Sequence, residues 1–229
     1  MAGRVNSART AAEGESARGL EEHVVVAKVR DMSAIDRRKL TAAEYLSLEH
    51  HAETRSEFIA GEVRAMSGAT MKHTIIVGNL MVELGQQLKG KRCSVLAHDM
   101  RVKTVSLGSY FYPDLVGICG PADLEQGVTD TLLNPTVVIE ILSPSTEAYD
   151  RGEKFFHYQQ IESLRQYVLV SQFQPRVEIY TRSAEGRWEY QVISGAEARL
   201  PLASLEAEVS LAEVYRGVDL AAPVPDGLR

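Results

Sequence analysis

Thr136-Val-Val-Ile-Glu-Ile-Leu-Ser143 is a nearly continuous run of β-branched and other apolar residues with a single carboxylate, Glu140, inside it. Such a run is how a strand buried on both faces of a sheet reads. Tyr110-Phe-Tyr-Pro-Asp-Leu-Val-Gly-Ile-Cys119 has the same character and carries Asp114. An ionised carboxylate in a buried strand costs roughly several kcal/mol unless a cation or hydrogen-bond donors meet it. Each acid alone is explained by an arginine at a strand end. Two acids on neighbouring central strands, converging on one point, are the usual way to hold Mg²⁺, with waters and a substrate phosphate completing its shell. The pair therefore points to phosphoryl-transfer chemistry.

The rest of the chain sets bounds on that reading. A length of 229 residues, 45% of them hydrophobic, suits one ordinary domain with a full core. No apolar run is long enough to span a bilayer, and Arg4, Arg9, Glu13 and Glu15 leave no apolar signal-peptide core, so a cytoplasmic protein without membrane contact is expected. Cys93 and Cys119 lack the spacing of a zinc site and read as small buried hydrophobes. A net charge of −6 argues against a nucleic-acid coat protein. Lys89, Lys91, Arg92, Arg101 and Lys103 are nonetheless opposed nearby only by Asp99, so they form either a solvated basic face or a phosphate-binding ridge.

Residues 1–31 lack an apolar period and are expected to be a disordered extension, with one stray strand at Val24-Val-Val-Ala and a natural translation start at Met32 as an option. A single domain then spans 32–217, and Pro223 and Pro225 mark a loose tail over 218–229. Thr41-Ala-Ala-Glu44 has capping-box spacing. Ser56–Ile59 and Glu62–Met66 read as a hairpin about Ala60-Gly61, and that register sets Glu57 opposite Arg64 as a plain charge pair while Glu62 has no partner. From Thr70 to Leu88 the apolar spacing is helical, with His73 turned inward. Strands are expected at Cys93–Ala97, Met100–Val105, Gln166–Val170, Arg176–Thr181 and Trp188–Ile193, a loop at 120–134, and helices from Asp150 to about Ile161 and from Leu205 to Tyr215.

Residues two apart on a strand share a face, so a lysine two positions after the second acid would stand beside the metal. Leu142 stands there. Lys154, in the first turn of the following helix, is the candidate replacement; the competing reading is a surface lysine paired with Asp150 or Glu153.

Pro113-Asp114, Val138-Ile-Glu-Ile-Leu-Ser-Pro-Ser-Thr146, Asp150-Arg-Gly-Glu-Lys154 and Tyr167-Val-Leu-Val170 together resemble the Uma family of inferred endonucleases, within the PD-(D/E)xK nuclease superfamily. The likeness runs from about Thr41 to Thr181. It implies an α/β, or mixed α+β, restriction-endonuclease-like core: a central mixed sheet flanked by helices. It implies Mg²⁺ or Mn²⁺ bound through Asp114, Glu140 and the Ile141 carbonyl, with Lys154 orienting the attacking water and stabilising charge on the phosphate. Glu62 would be an outer metal ligand and His73 a phosphate or water contact. The expected function is metal-dependent hydrolysis of DNA phosphodiesters by a homodimer, since cutting a duplex takes two active sites. Leu142 and the acidic balance support the competing reading, a catalytically weak or inactive nuclease fold that binds nucleic acid or serves as an assembly subunit. Hydrolysis of another phosphate ester is a third.

Overall fold

The computed structural model describes residues 39–66, 68–97 and 99–221. The expectations for residues 1–31, for Val24-Val-Val-Ala, for Met32 and for most of the tail lie outside these residues.

Thr41 opens α1 (Ala42–His50): its hydroxyl accepts from the Glu44 amide while Glu44 Oε2 accepts from the Thr41 amide, the expected capping box. β1 (Ser56–Ile59) and β2 (Glu62–Ala65) form the expected hairpin with Glu57 opposite Arg64. Ala60 and Gly61 both take positive φ, 51° and 96°, as a two-residue hairpin turn requires. α2 (Met71–Leu88) starts after Thr70, whose hydroxyl accepts from the His73 amide, and buries Ile76, Val77, Leu80, Leu84 and Leu88 on one face. There follow β3 (Cys93–Ala97), β4 (Arg101–Thr104), β5 (Ser109–Phe111), β6 (Leu115–Cys119), β7 (Thr131–Leu132) and β8 (Val137–Leu142). A continuous helical segment is built from α3 (Glu147–Tyr149), a π turn at Asp150–Lys154 and α4 (Phe155–Tyr158). β9 (Gln166–Ser171), β10 (Arg176–Arg182), β11 (Trp188–Ser194), β12 (Arg199–Leu202), β13 (Ala207–Ser210) and α5 (Leu211–Val214) complete the domain.

A six-stranded sheet in the order β11-β10-β9-β8-β6-β3 forms the centre. Only β8 and β9 run parallel in it, so it is the expected mixed sheet. β8 is buried along its whole length. Its Val137, Ile139 and Ile141 face a core shared with α2, β13 and α5, while Val138 and Leu142 face a second core with Phe155, Tyr158, Val102, Phe111 and Leu132. A second sheet, β2-β1-β5-β4-β7, contributes to that second core.

The stretch Tyr110–Cys119, read as one strand, is two. Pro113 has no N–H for a ladder, and at Tyr112-Pro113-Asp114 the chain leaves the five-stranded sheet for the six-stranded one. The helix expected at Leu205–Tyr215 is also different: Ala207 and Val209 are buried alternately and pair with β12, and only Leu211–Val214 is helical. Period two wins there because β12 supplies a partner strand. The expected loop at 120–134 contains β7, paired with β4. Cys93 and Cys119 are joined in a disulfide rather than lying as separate thiols; the β3–β6 register sets them directly opposite, at a Cα separation of 4.0 Å. Strand pairing between residues 26 apart leaves no mark in cysteine spacing.

Candidate active site

Leu115 lies opposite Ile139 in the β6–β8 ladder, so one further step of that antiparallel register sets Asp114 opposite Glu140, on the face of Val138 and Leu142. The two acids do converge. The Asp114 amide lies 3.4 Å from Glu140 Oε2, and the Ile141 amide donates to Asp114 Oδ2 at 2.7 Å. His73, on the first turn of α2, places Nε2 2.9 Å from Asp114 Oδ1. The histidine expected to touch a phosphate or water thus sits on the first acid, whose other oxygen takes the Ile141 amide.

Lys154 is not at the helix start. The helical segment begins at Glu147, so the expected cap at Asp150 is instead an interior residue, and the π turn aims Asp150 and Lys154 inward together. Lys154 is only 4% exposed. Its Nζ lies 2.9 Å from Glu140 Oε1, 2.8 Å from Glu57 Oε1 and 3.9 Å from Asp150 Oδ1. The ammonium therefore reaches the second acid from the helix, while the strand position is filled by buried Leu142. π turns recur at functional sites because the extra residue re-aims side chains.

Glu57 is the residue that sequence reasoning missed. It does stand opposite Arg64, but the two side chains do not pair: Arg64 reaches Glu153 at 3.2 Å and lies 4.0 Å over the Tyr149 ring. Glu57 is buried, receives the Tyr149 hydroxyl at 2.7 Å, and meets Lys154. The signal was there, since Glu57 is two residues from buried Ile59 and shares its face. Glu62, proposed as the outer acid, is exposed on β2.

Burial pushes the Glu140 carboxyl well above the usual range; Lys154 opposes this, but Asp114, Asp150 and Glu57 reinforce it. Burial likewise raises Asp150. For Lys154 burial alone would lower the pKa, yet Glu140, Glu57 and Asp150 outweigh it and hold the ammonium well above its ordinary value. Three carboxylates, Glu57, Glu140 and Asp150, surround one lysine, and Asp114 adds a fourth negative group beside Glu140. Tyr158 adds a neutral donor, its hydroxyl 3.3 Å from Glu140 Oε1. Such a cluster has room in its charge balance for a further cation. Among the described residues no group of three or more His, Cys, Asp or Glu is arranged around a common point for a metal. Two hard oxygen donors suffice for magnesium when water and phosphate supply the rest, so the Asp114–Glu140 pair fits that ion.

The five cations are divided between the surroundings of two different sheets. Arg101 is buried against Asp130, and Lys103 is held by Glu125 beside the Tyr110 ring, both on β4 of the five-stranded sheet. Lys91 donates to the Glu206 carbonyl at 2.8 Å and Arg92 lies 3.9 Å from the Glu206 carboxylate, next to β3 at the edge of the other sheet. Lys89 follows α2 directly, on the same stretch as these two. Proximity in sequence hid the fact that β3 and β4 belong to different sheets.

Residues 42–213 match the model of the Uma2 family, described as "Putative restriction endonuclease". Two proteins of Synechocystis sp. (strain ATCC 27184 / PCC 6803 / Kazusa) are similar. The "Uncharacterized protein slr1290" is 33% identical over 183 residues, 79% of this chain and 93% of its own. The "Uncharacterized protein sll1609" is 34% identical over 161 residues, 70% of this chain and 91% of its own. The crystal structure of a "putative nuclease belonging to DUF820" from Anabaena variabilis ATCC 29413 superposes with a TM-score of 0.65 at 20% identity, covering 77% of this chain and 98% of that one. That likeness establishes a shared fold.

Proposed function

Because the chain belongs to the Uma2 family, we propose that it is a metal-dependent phosphodiesterase that hydrolyses DNA, with Asp114, Glu140 and Lys154 as its catalytic residues. The observation that carries this reading is the reach of the Lys154 ammonium to Glu140, directly across from Asp114. The charge that Leu142 withholds from the strand is supplied by the helix.

In this reading Asp114, Glu140 and the Ile141 carbonyl would hold Mg²⁺ or Mn²⁺, and the ion would supply Lewis acidity towards water and the phosphate. Each protein group then has a separate task. His73 and the Ile141 amide fix both oxygens of Asp114, so its carboxylate is preoriented. Lys154 presents a fixed positive charge where the phosphate becomes more negative, and a preorganised charge at such a place is often the largest single contribution to rate. Glu57, held by Tyr149, keeps that ammonium in position from the other side. The complete enclosure of Lys154 by carboxylates is what favours the second reading, a nuclease fold that binds nucleic acid or assembles without cutting it.

Titration calorimetry with Mn²⁺ and plasmid nicking with Mg²⁺, Mn²⁺ or EDTA test the proposal. The parent should bind Mn²⁺ and nick only with metal, and Asp114→Asn should lose both. Metal binding without nicking under any condition would favour the second reading. Unchanged Mn²⁺ affinity in Asp114→Asn would remove Asp114 from the site.

A further inference from the structure

Register extends the row of the two acids across the sheet. Glu140 stands opposite Leu169 in β9, and Leu169 stands opposite Glu178 in β10. Two strand spacings of about 4.8 Å put Glu178 roughly 10 Å from Glu140 along that row. Glu178 is buried and pairs with Arg151, at 3.0 and 3.1 Å, from the same helical segment that sends Lys154 to Glu140. At this second pair lies a cleft of about 260 Å³.

The cleft is tied to the acid pair by the first turn of α2. His73 contacts Asp114, while Lys72 stands 5.2 Å from the ring centroid of Phe173, which lines the cleft. Thr70 bonds Gln172, and Gln172 donates to the Leu142 carbonyl at 2.8 Å, joining the cleft wall to the end of β8.

The lining selects the occupant. Phe173 offers a flat apolar face above a floor of buried Leu142 and Leu169, while Arg151, Arg176, Gln174 and Ser171 offer polar edges. The charges of Arg151 and Arg176 are matched by Glu147 and Glu178, so the cleft is near neutral and is not built for a phosphate. Its volume lies below that of pockets for drug-sized ligands, which suits one ring system. We propose that this cleft receives a single unpaired nucleobase of the strand whose phosphate lies at Asp114 and Glu140, so that the substrate is single-stranded or locally unpaired nucleic acid. The inference rests on the nuclease reading. A base has apolar faces and polar edges, and stacking on an aromatic ring tolerates any base sequence.

Fluorescence anisotropy in Ca²⁺, a hard cation that keeps oxygen ligands at the acid pair, with the probes confirmed intact afterwards, tests this with three probes: a short labelled single strand, the same backbone with every base removed, and the fully paired duplex. The parent should bind the base-bearing strand about tenfold more tightly than either of the others, as loss of one stacked base implies. Phe173→Ala should abolish most of that difference and leave the abasic strand unaffected. Gln174→Trp, at an exposed position on the rim, should do the same by filling the cleft without disturbing the core. Equal binding of base-bearing and abasic strands would overturn the proposal, as would parent-like discrimination in both variants. Base-dependent binding without nicking in Mn²⁺ would leave the cleft standing and refute hydrolysis. Nicking of duplex that ignores unpaired bases would do the reverse.

Discussion

Lys154→Met is the most informative single change, because it deletes the ammonium while keeping most of the side-chain volume. The lysine is buried, so its loss leaves Glu57, Glu140 and Asp150 enclosed without their shared cation. Removing one member of a buried ion pair costs about 3–5 kcal/mol. In a domain of this size each kcal/mol moves Tm by about 2–4 °C, so the metal-free variant should melt about 6–20 °C below the parent near neutral pH. The pH dependence has a definite sign. The folded-state pKa of Glu140 is raised, so the variant is relieved as pH falls through that value towards 4.5, and the gap to the parent should narrow on acidification. Lys154 has a raised pKa, so its contribution in the parent is fully present below 10.5 and is lost only as pH climbs through the higher folded value. Adding Glu57→Gln to Lys154→Met should recover part of the loss by removing one orphaned charge. Calorimetry of the three proteins across that range decides it. A Tm change under about 2 °C, or a gap that widens in acid, would mean that Lys154 lies outside this network in solution.

Three further outcomes are expected. If charge at the phosphate is what matters, Lys154→Met should lower plasmid nicking by orders of magnitude, and Leu142→Lys added to it should restore part, since residue 142 shares the strand face of Glu140; nicking assays of both variants check this. Cys93→Ser opens a covalent loop spanning 26 residues and should cost about 3–4 kcal/mol, read as a lower urea midpoint with no added effect of reductant. Burial lowers the His157 pKa, and its Nδ1 is enclosed without a hydrogen-bond partner among the described residues, so stability is present above 6.5 and declines as pH falls below that value. His157→Phe should remove that component in a pH series of melting curves.

What the sequence disclosed and what it hid have physical reasons. The capping box at Thr41, the hairpin turn at Ala60-Gly61 and the amphipathic α2 are local devices, and each was legible with its boundaries nearly right. The acids were legible because a carboxylate inside a run like that of β8 demands a partner. What depends on which strands meet was not legible. Nothing in the neighbourhood of Glu57 says that β1 will lie under the helical segment, and nothing in the spacing of Cys93 and Cys119 says that β3 will pair with β6. The division of the basic residues from Lys89 to Lys103 was hidden for the same reason, since a sheet boundary runs through the group. Lys154 was legible as a candidate from its place early in the helix after β8, but its inward aim was not, because that depends on a π turn rather than on α-helical phase.

Asp114 stands where the chain passes between two sheets that share no backbone ladder among the described residues. Glu57 belongs to one sheet and Glu140 to the other, with the lysine between them. The constellation can thus come apart while every strand pairing within each sheet persists. Amide exchange reports such events: the hairpin of β1 and β2, whose second strand is exposed throughout, should exchange through a smaller opening than β8 and β9. The assembled fraction of the site is then governed by that smaller opening, and on warming it declines while the six-stranded sheet is still intact.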